Sequence, residues 1–93
     1  MPLFILTCID KPDALEQRLA ARDAHIAYVR GAGVCKVGGP FLNEAGDPVG
    51  SMLLLEMADL AAAKAFAAAD PYAAAGVFES VDVRPFKLTL GAI

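Results

Sequence analysis

Ninety-three residues allow one hydrophobic core and not comfortably two, since independent domains usually run to roughly 100–150 residues. Eleven acidic against eight basic residues leave a net charge of -3, with the lysines and arginines scattered, which excludes the basic stripe that nucleic-acid binding requires. The chain is 57% hydrophobic without a tryptophan, and so small a domain buries only about 60% of its unfolded surface, so an apolar face is left over for self-association.

The opening run Met1-Pro2-Leu3-Phe4-Ile5-Leu6-Thr7 has no basic leader or small-residue cleavage site and stops being apolar at Asp10. Neither a signal peptide nor a membrane span is expected from it. Cys8 and Cys35 stand alone, and one histidine cannot complete a metal site with them, so no metal or cofactor is expected and a reducing cytoplasmic setting fits.

Leu3 to Ile9 predicts an inner strand ended by Asp10-Lys11-Pro12-Asp13. Asp13 as an N-cap, with Glu16 three residues later, predicts a helix from about Ala14, carrying an apolar stripe of Leu15, Leu19, Ile26 and Val29 and stopping at Gly31-Ala32-Gly33. Val34 to Gly39 predicts a second strand, Pro40 to Gly50 a loop, and Ser51 to Met57 a third strand.

Asp59 caps an alanine-rich helix from Leu60 to Ala69, anchored by Leu60 and Phe66. Asp70-Pro71 interrupts it and starts a short helical turn ending at Gly76. Val77 to Arg84 alternates imperfectly as a half-buried strand. The sum is one domain, residues 1–93, of α+β class: a ferredoxin-like βαββαβ chain with both helices on one face of an antiparallel sheet. Two helices cover one sheet face, so the other is expected to be buried in a homodimer.

Arg18, Arg22 and His25 on the first helix, Gly39-Pro40, the run Asp70-Pro71-Tyr72-Ala73-Ala74-Ala75-Gly76-Val77-Phe78, and Glu79, Val81, Val83 and Arg84-Pro85-Phe86-Lys87 together resemble the YciI-like family. The likeness spans nearly the whole chain. It implies a small dimeric ferredoxin-like protein of the dimeric α/β-barrel type, and a site made of a histidine and an aspartate, here His25 and Asp70, with Ser51 at the place of a serine sometimes included. It also implies enzyme-like chemistry in some relatives, including halide removal from a chlorinated aromatic ring, but it names no substrate.

The residues themselves support parts of this. His25 is the only side chain whose ordinary pKa, about 6.5, lies near neutrality, which makes it the natural general acid or base; the competing reading is a solvated histidine on a helix surface. Asp70 suits the orientation of that imidazole, and equally suits plain capping before Pro71. Because the helices of a split βαβ unit run antiparallel, nothing in the sequence sets Asp70 beside the later half of the first helix.

Arg18, Arg22 and His25 fall on one side of that helix and suit an anionic ligand, with Arg22 favoured over Arg18; the alternative is surface pairing with Asp13, Glu16 and Asp23. Tyr72 either offers its hydroxyl to a substrate or packs against the sheet. Ser51 lacks a nucleophile-elbow setting, Gly38-Gly39-Pro40 reads as a strand-ending turn, and both cysteines read as buried and inert.

Two functions follow. The first is a small enzyme using His25 and Asp70 for proton transfer, by elimination or hydrolysis, on a small polar or aromatic substrate held by Arg22. The second is a non-catalytic module binding a small anionic metabolite, and a plain interaction domain stands third. No nucleic acid or membrane partner is expected in any of them.

Overall fold

Strand β1 (Leu3–Asp10) places Phe4, Leu6, Cys8 and Asp10 on one face by its two-residue repeat, and all four are buried. In the computed structural model, which describes residues 1–93, β1 is followed by α1 (Leu15–Ala32), β2 (Cys35–Leu42), β3 (Pro48–Glu56), α2 (Leu60–Ala68), α3 (Pro71–Ala74) and β4 (Phe78–Phe86). The sheet runs β2-β3-β1-β4 with every neighbouring pair antiparallel, which is the ferredoxin-like βαββαβ arrangement.

The register puts Phe4, Leu6 and Cys8 beside Leu55, Leu53 and Ser51 of β3 and beside Pro85, Val83 and Val81 of β4. The core forms on this helix-covered face, where Leu6, Cys8, Leu53 and Leu55 meet Phe66 and Ala67 of α2. A second cluster joins Ala14, Tyr72 and Val77. Burial of such side chains at about 25 cal/mol per Å² of apolar surface is the main force closing the layers.

Several local readings change. Asp13 does not cap α1: it adopts φ 61, the left-handed conformation that short polar side chains tolerate, and Ala14 occupies the cap position without a side-chain bond. The stripe Leu15, Leu19, Ile26, Val29 is not a buried seam, because Leu15 and Leu19 are exposed and Arg18 is the one buried residue of α1. Strand β2 runs on through Gly38, Gly39 and Pro40 to Leu42, and β3 starts at Pro48, so the expected loop shrinks to a tight hairpin around Asn43 and Gly46. Pro40 fits because β2 is an edge strand.

Other stops and caps fall where local chemistry puts them. Gly33 closes α1 at φ 69, Asp59 caps α2 through Ala62 N–H, and Gly76 ends α3 at φ 73. The imperfect alternation of β4 has a cause. Ser80 pairs with Ile9 but Phe78 pairs with Asp10, leaving Glu79 as a bulge that turns both Phe78 and Val81 toward the helices.

No helix is long and apolar enough to cross a membrane. The sheet face away from the helices leaves Ile9, Val37, Phe41 and Phe86 exposed.

Candidate functional site

Asp10 ends the inward-facing row of β1, so a carboxylate enters the core, and it must be paired there. Arg18, one turn into α1, supplies the charge. Its Nε donates to Asp10 Oδ2 at 2.7 Å and its Nη2 to Oδ1 at 3.2 Å, both side chains being 4% exposed. Nη2 also donates to Ser51 Oγ at 2.5 Å, tying α1 to β3. This two-toothed geometry suits a guanidinium and not an ammonium.

Two turns further along α1, His25 meets Asp70. The Nδ1 atom lies 2.9 Å from both carboxylate oxygens, the His25 side chain being 12% and the Asp70 side chain 2% exposed. Asp70 Oδ1 also accepts the Tyr72 backbone N–H at 2.8 Å, so the same carboxylate caps α3 and faces the imidazole. Pro71 at the start of α3 locks that turn.

Tyr72 completes the cluster. Its ring stacks on the His25 ring at 4.0 Å between centroids and 17° between planes, the Arg18 guanidinium carbon lies 4.4 Å from its centroid, and Phe78 meets it edge-on. Burial holds the Tyr72 hydroxyl above its ordinary pKa, with Arg18 and Arg22 opposing, so it stays protonated at neutral pH.

Between α1 and strands β2 and β3 a cavity of about 350 Å³ opens. Its helical wall carries Arg18, Arg22, His25, Ile26, Val29 and Arg30, and its strand wall carries Gly38, Gly39, Pro40 and Ser51, with Tyr72 beneath. Gly38 makes room for neighbouring side chains of this wall: a Cβ there would lie 2.4 Å from Leu53 Cδ2 and 3.2 Å from Cys35 Sγ.

All six sequence candidates, Arg18, Arg22, His25, Ser51, Asp70 and Tyr72, therefore gather around one hollow, five lining it and Asp70 standing behind His25. The two arginines have different surroundings. Arg18 is the buried anchor, with Asp10 and not Asp13 or Glu16 as its partner, whereas Arg22 is exposed and only 3.8 Å from the open carboxylate of Asp23. Sequence reading missed Asp10 and Arg30. The signal for Asp10 was its phase with Leu6 and Cys8; Arg30 had none beyond its helical phase with Arg22 and Ile26.

Cys8 lies buried beneath the site, and burial, then the charge of Asp70, pushes its thiol up to about 12. Burial also raises the Cys35 thiol, while its bond to the Val37 carbonyl opposes the rise. Neither is an activated nucleophile. No group of three or more His, Cys, Asp and Glu side chains is placed to hold a metal ion.

Comparison with known proteins agrees with this architecture. Protein YciI of Escherichia coli O6:H1 is 42% identical over 94 residues, covering 91% of this chain and 96% of the relative. The structure of 5-chloro-2-hydroxyhydroquinone dehydrochlorinase (TftG) from Burkholderia phenoliruptrix AC1100, complexed with 2,5-dihydroxybenzoquinone, superposes with a TM-score of 0.84 at 31% identity, covering 91% of this chain and 93% of that one. An antibiotic biosynthesis monooxygenase, 18% identical with a TM-score of 0.60 over 97% of this chain and all of the other, shares the fold. The profile of the YCII-related domain matches residues 2–87, and the chain belongs to this YciI-like family.

Proposed function

We propose that the chain is a small enzyme in which His25, oriented by Asp70, exchanges a proton with a small polar or aromatic substrate during elimination or hydrolysis. The observation that carries this reading is the 2.9 Å approach of His25 Nδ1 to Asp70, with His25 on the wall of the 350 Å³ cavity. A carboxylate only accepts, so Asp70 selects the imidazole tautomer with Nδ1 protonated and leaves Nε2 bare to act as base. Taking the substrate proton makes an imidazolium, which the Asp70 charge stabilises, and the same ring returns the proton later in the cycle.

The surrounding groups fit this role. Asp70 is held by its own capping bond and Tyr72 packs flat on the imidazole, so neither ring nor carboxylate is free to swing away. Arg22 draws anionic substrates to the mouth, and the Arg18 and Ser51 pair forms a polar end to a largely apolar hollow. The dehydrochlorinase likeness favours elimination over hydrolysis, since loss of hydrogen chloride needs a base for the departing proton.

The reading includes a homodimer closed through the open sheet face, where Ile9, Val37, Phe41 and Phe86 are exposed. It also includes a reducing cytoplasm, in keeping with two free thiols. A non-catalytic anion-binding module is the second reading, favoured by the two exposed arginines at the cavity.

The test is turnover of halogenated hydroxyquinols and hydroxylated aromatic acids, followed by chloride release and ultraviolet absorbance. The enzyme reading expects turnover that His25→Ala abolishes without change in far-ultraviolet circular dichroism. Tight ligand binding with no turnover, unchanged by His25→Ala, supports the binding module instead.

A further inference from the structure

The charge balance of the cavity goes further and specifies its ligand. Its lining holds three arginines and one histidine and no Asp or Glu. Two of these four side chains already have buried carboxylate partners, Arg18 in Asp10 and His25 in Asp70. The other two do not. Arg22 has only the fully exposed Asp23, at 3.8 Å, and Arg30 pairs with no carboxylate. The hollow thus presents two uncompensated positive charges in a chain whose net charge is -3.

The two charges are also separated in an ordered way. Arg22, Ile26, Val29 and Arg30 follow one another along the cavity side of α1, so the wall reads cation, apolar, apolar, cation. Arg22 and Arg30 are eight residues apart, about 12 Å along the helix axis, and long side chains can lean inward from both ends. On the opposite wall the Leu53 and Cys35 side chains pack over Gly38 and give an apolar surface facing Ile26 and Val29, which suits a flat apolar body. A cation in the last turn of α1 is favoured by the helix dipole, which accounts for an arginine at position 30 but not for its place at the cavity.

We propose that the cavity takes a flat small molecule with an anionic group at each of two opposite ends, a dicarboxylic acid with an apolar middle, and that Arg30 determines this specificity. One anionic group meets Arg22 close to His25, the apolar middle lies on Ile26 and Val29, and the second group meets Arg30. This rests on the reading of the cavity as the ligand site.

Calorimetry of the full chain near 0.15 M salt, with benzoate, benzene-1,4-dicarboxylate and benzene-1,2-dicarboxylate as probes, tests it. The 1,4-diacid is expected to bind about tenfold tighter than benzoate, as one added charge-assisted contact gives, and the 1,2-diacid to gain less. Arg30→Gln should remove that preference and leave benzoate affinity within about twofold, whereas Arg84→Gln, the same charge change on the far sheet face, should keep it. Equal binding of benzoate and the 1,4-diacid, a preference that survives Arg30→Gln, or equal loss in Arg84→Gln overturns the inference alone. If no probe binds the unaltered chain, the inference and the small-anion reading beneath it both fall.

Discussion

His25 Nδ1 lies 2.9 Å from both carboxylate oxygens of Asp70, and that carboxylate also accepts the Tyr72 backbone N–H that starts α3. One side chain therefore both builds the fold locally and orients the imidazole. Substitution separates the two jobs, because asparagine still caps a helix but carries no charge. Asp70→Asn should keep stability within about 1 kcal/mol and lower turnover by about 100-fold or more. Asp70→Ala should lose both cap and activity. Urea unfolding beside initial rates checks this, and an Asp70→Asn protein with full activity contradicts the assigned role.

The Asp10–Arg18 pair is almost wholly buried, so removing one partner strands a charge. Arg18→Met or Asp10→Leu alone should each cost about 3–5 kcal/mol, while the double substitution recovers most of the loss. Chemical denaturation of the four proteins gives the coupling. Additive losses would mean that the two side chains act independently.

Glycine is required where strands β1 and β3 approach closely. A Cβ at Gly50 would sit 2.5 Å from the Cys8 carbonyl oxygen, which is backbone and cannot turn aside, whereas Gly39 has nothing within 4 Å. Gly50→Ala should destabilise by about 1–3 kcal/mol and Gly39→Ala by about 0.5 kcal/mol or less. Thermal unfolding of the two variants decides it; equal midpoints would contradict the register described for β1 and β3.

The homodimer proposal makes its own prediction. Ile9→Asp or Val37→Lys puts a charge into the open apolar sheet face, distant from the cavity, and should shift the chain from dimer to monomer in sedimentation velocity. Unaltered sedimentation of both variants would place the interface elsewhere.

Alkali should weaken the fold through Cys8. Its thiol rises from 9.0 to about 12 on burial, so between those values the native state keeps a proton that the unfolded chain has released. The unfolded state then binds fewer protons, and stability falls as pH rises through that window. Tyr28 and Tyr72, also raised by burial, add to the same trend. The slope of stability against pH from 9 to 11 should be shallower in Cys8→Ala than in the unaltered chain. Parallel slopes would mean that the thiol titrates normally.

Much of this molecule is legible because its signals are local. Asp59 and Asp70-Pro71 announce helix starts through bonds within three residues, and Gly33 and Gly76 announce stops through positive φ. Asp13 misled because a capping residue and a left-handed turn residue have the same composition preference, and only the path of the chain after Asp10 decides between them. The β2 hairpin was hidden by Pro40, which an edge strand accepts and an inner strand does not.

The cluster around the cavity was legible in its members but not in its wiring. Arg18, Arg22 and His25 share a helix side by spacing alone, and the family likeness supplied Asp70 and Ser51. That Arg18 is the buried anchor depends on Asp10 reaching α1, which follows from the inward phase of β1 together with the bulge opposite Glu79. That Asp70 reaches His25 depends on α3 turning back toward α1 after α2, a tertiary event with no mark in the sequence beyond Asp70-Pro71.

The most direct measurement of the account is nitrogen-15 NMR of the single imidazole in the uniformly labelled chain, recorded where the ring is neutral and repeated with 2,5-dihydroxybenzoquinone added. The account predicts one dominant tautomer with the proton on Nδ1, a shift toward the other tautomer in Asp70→Asn, and a perturbed Nε2 resonance when the quinone binds. A ring that carries its proton mainly on Nε2, is indifferent to Asp70→Asn and does not respond to the added molecule would contradict it.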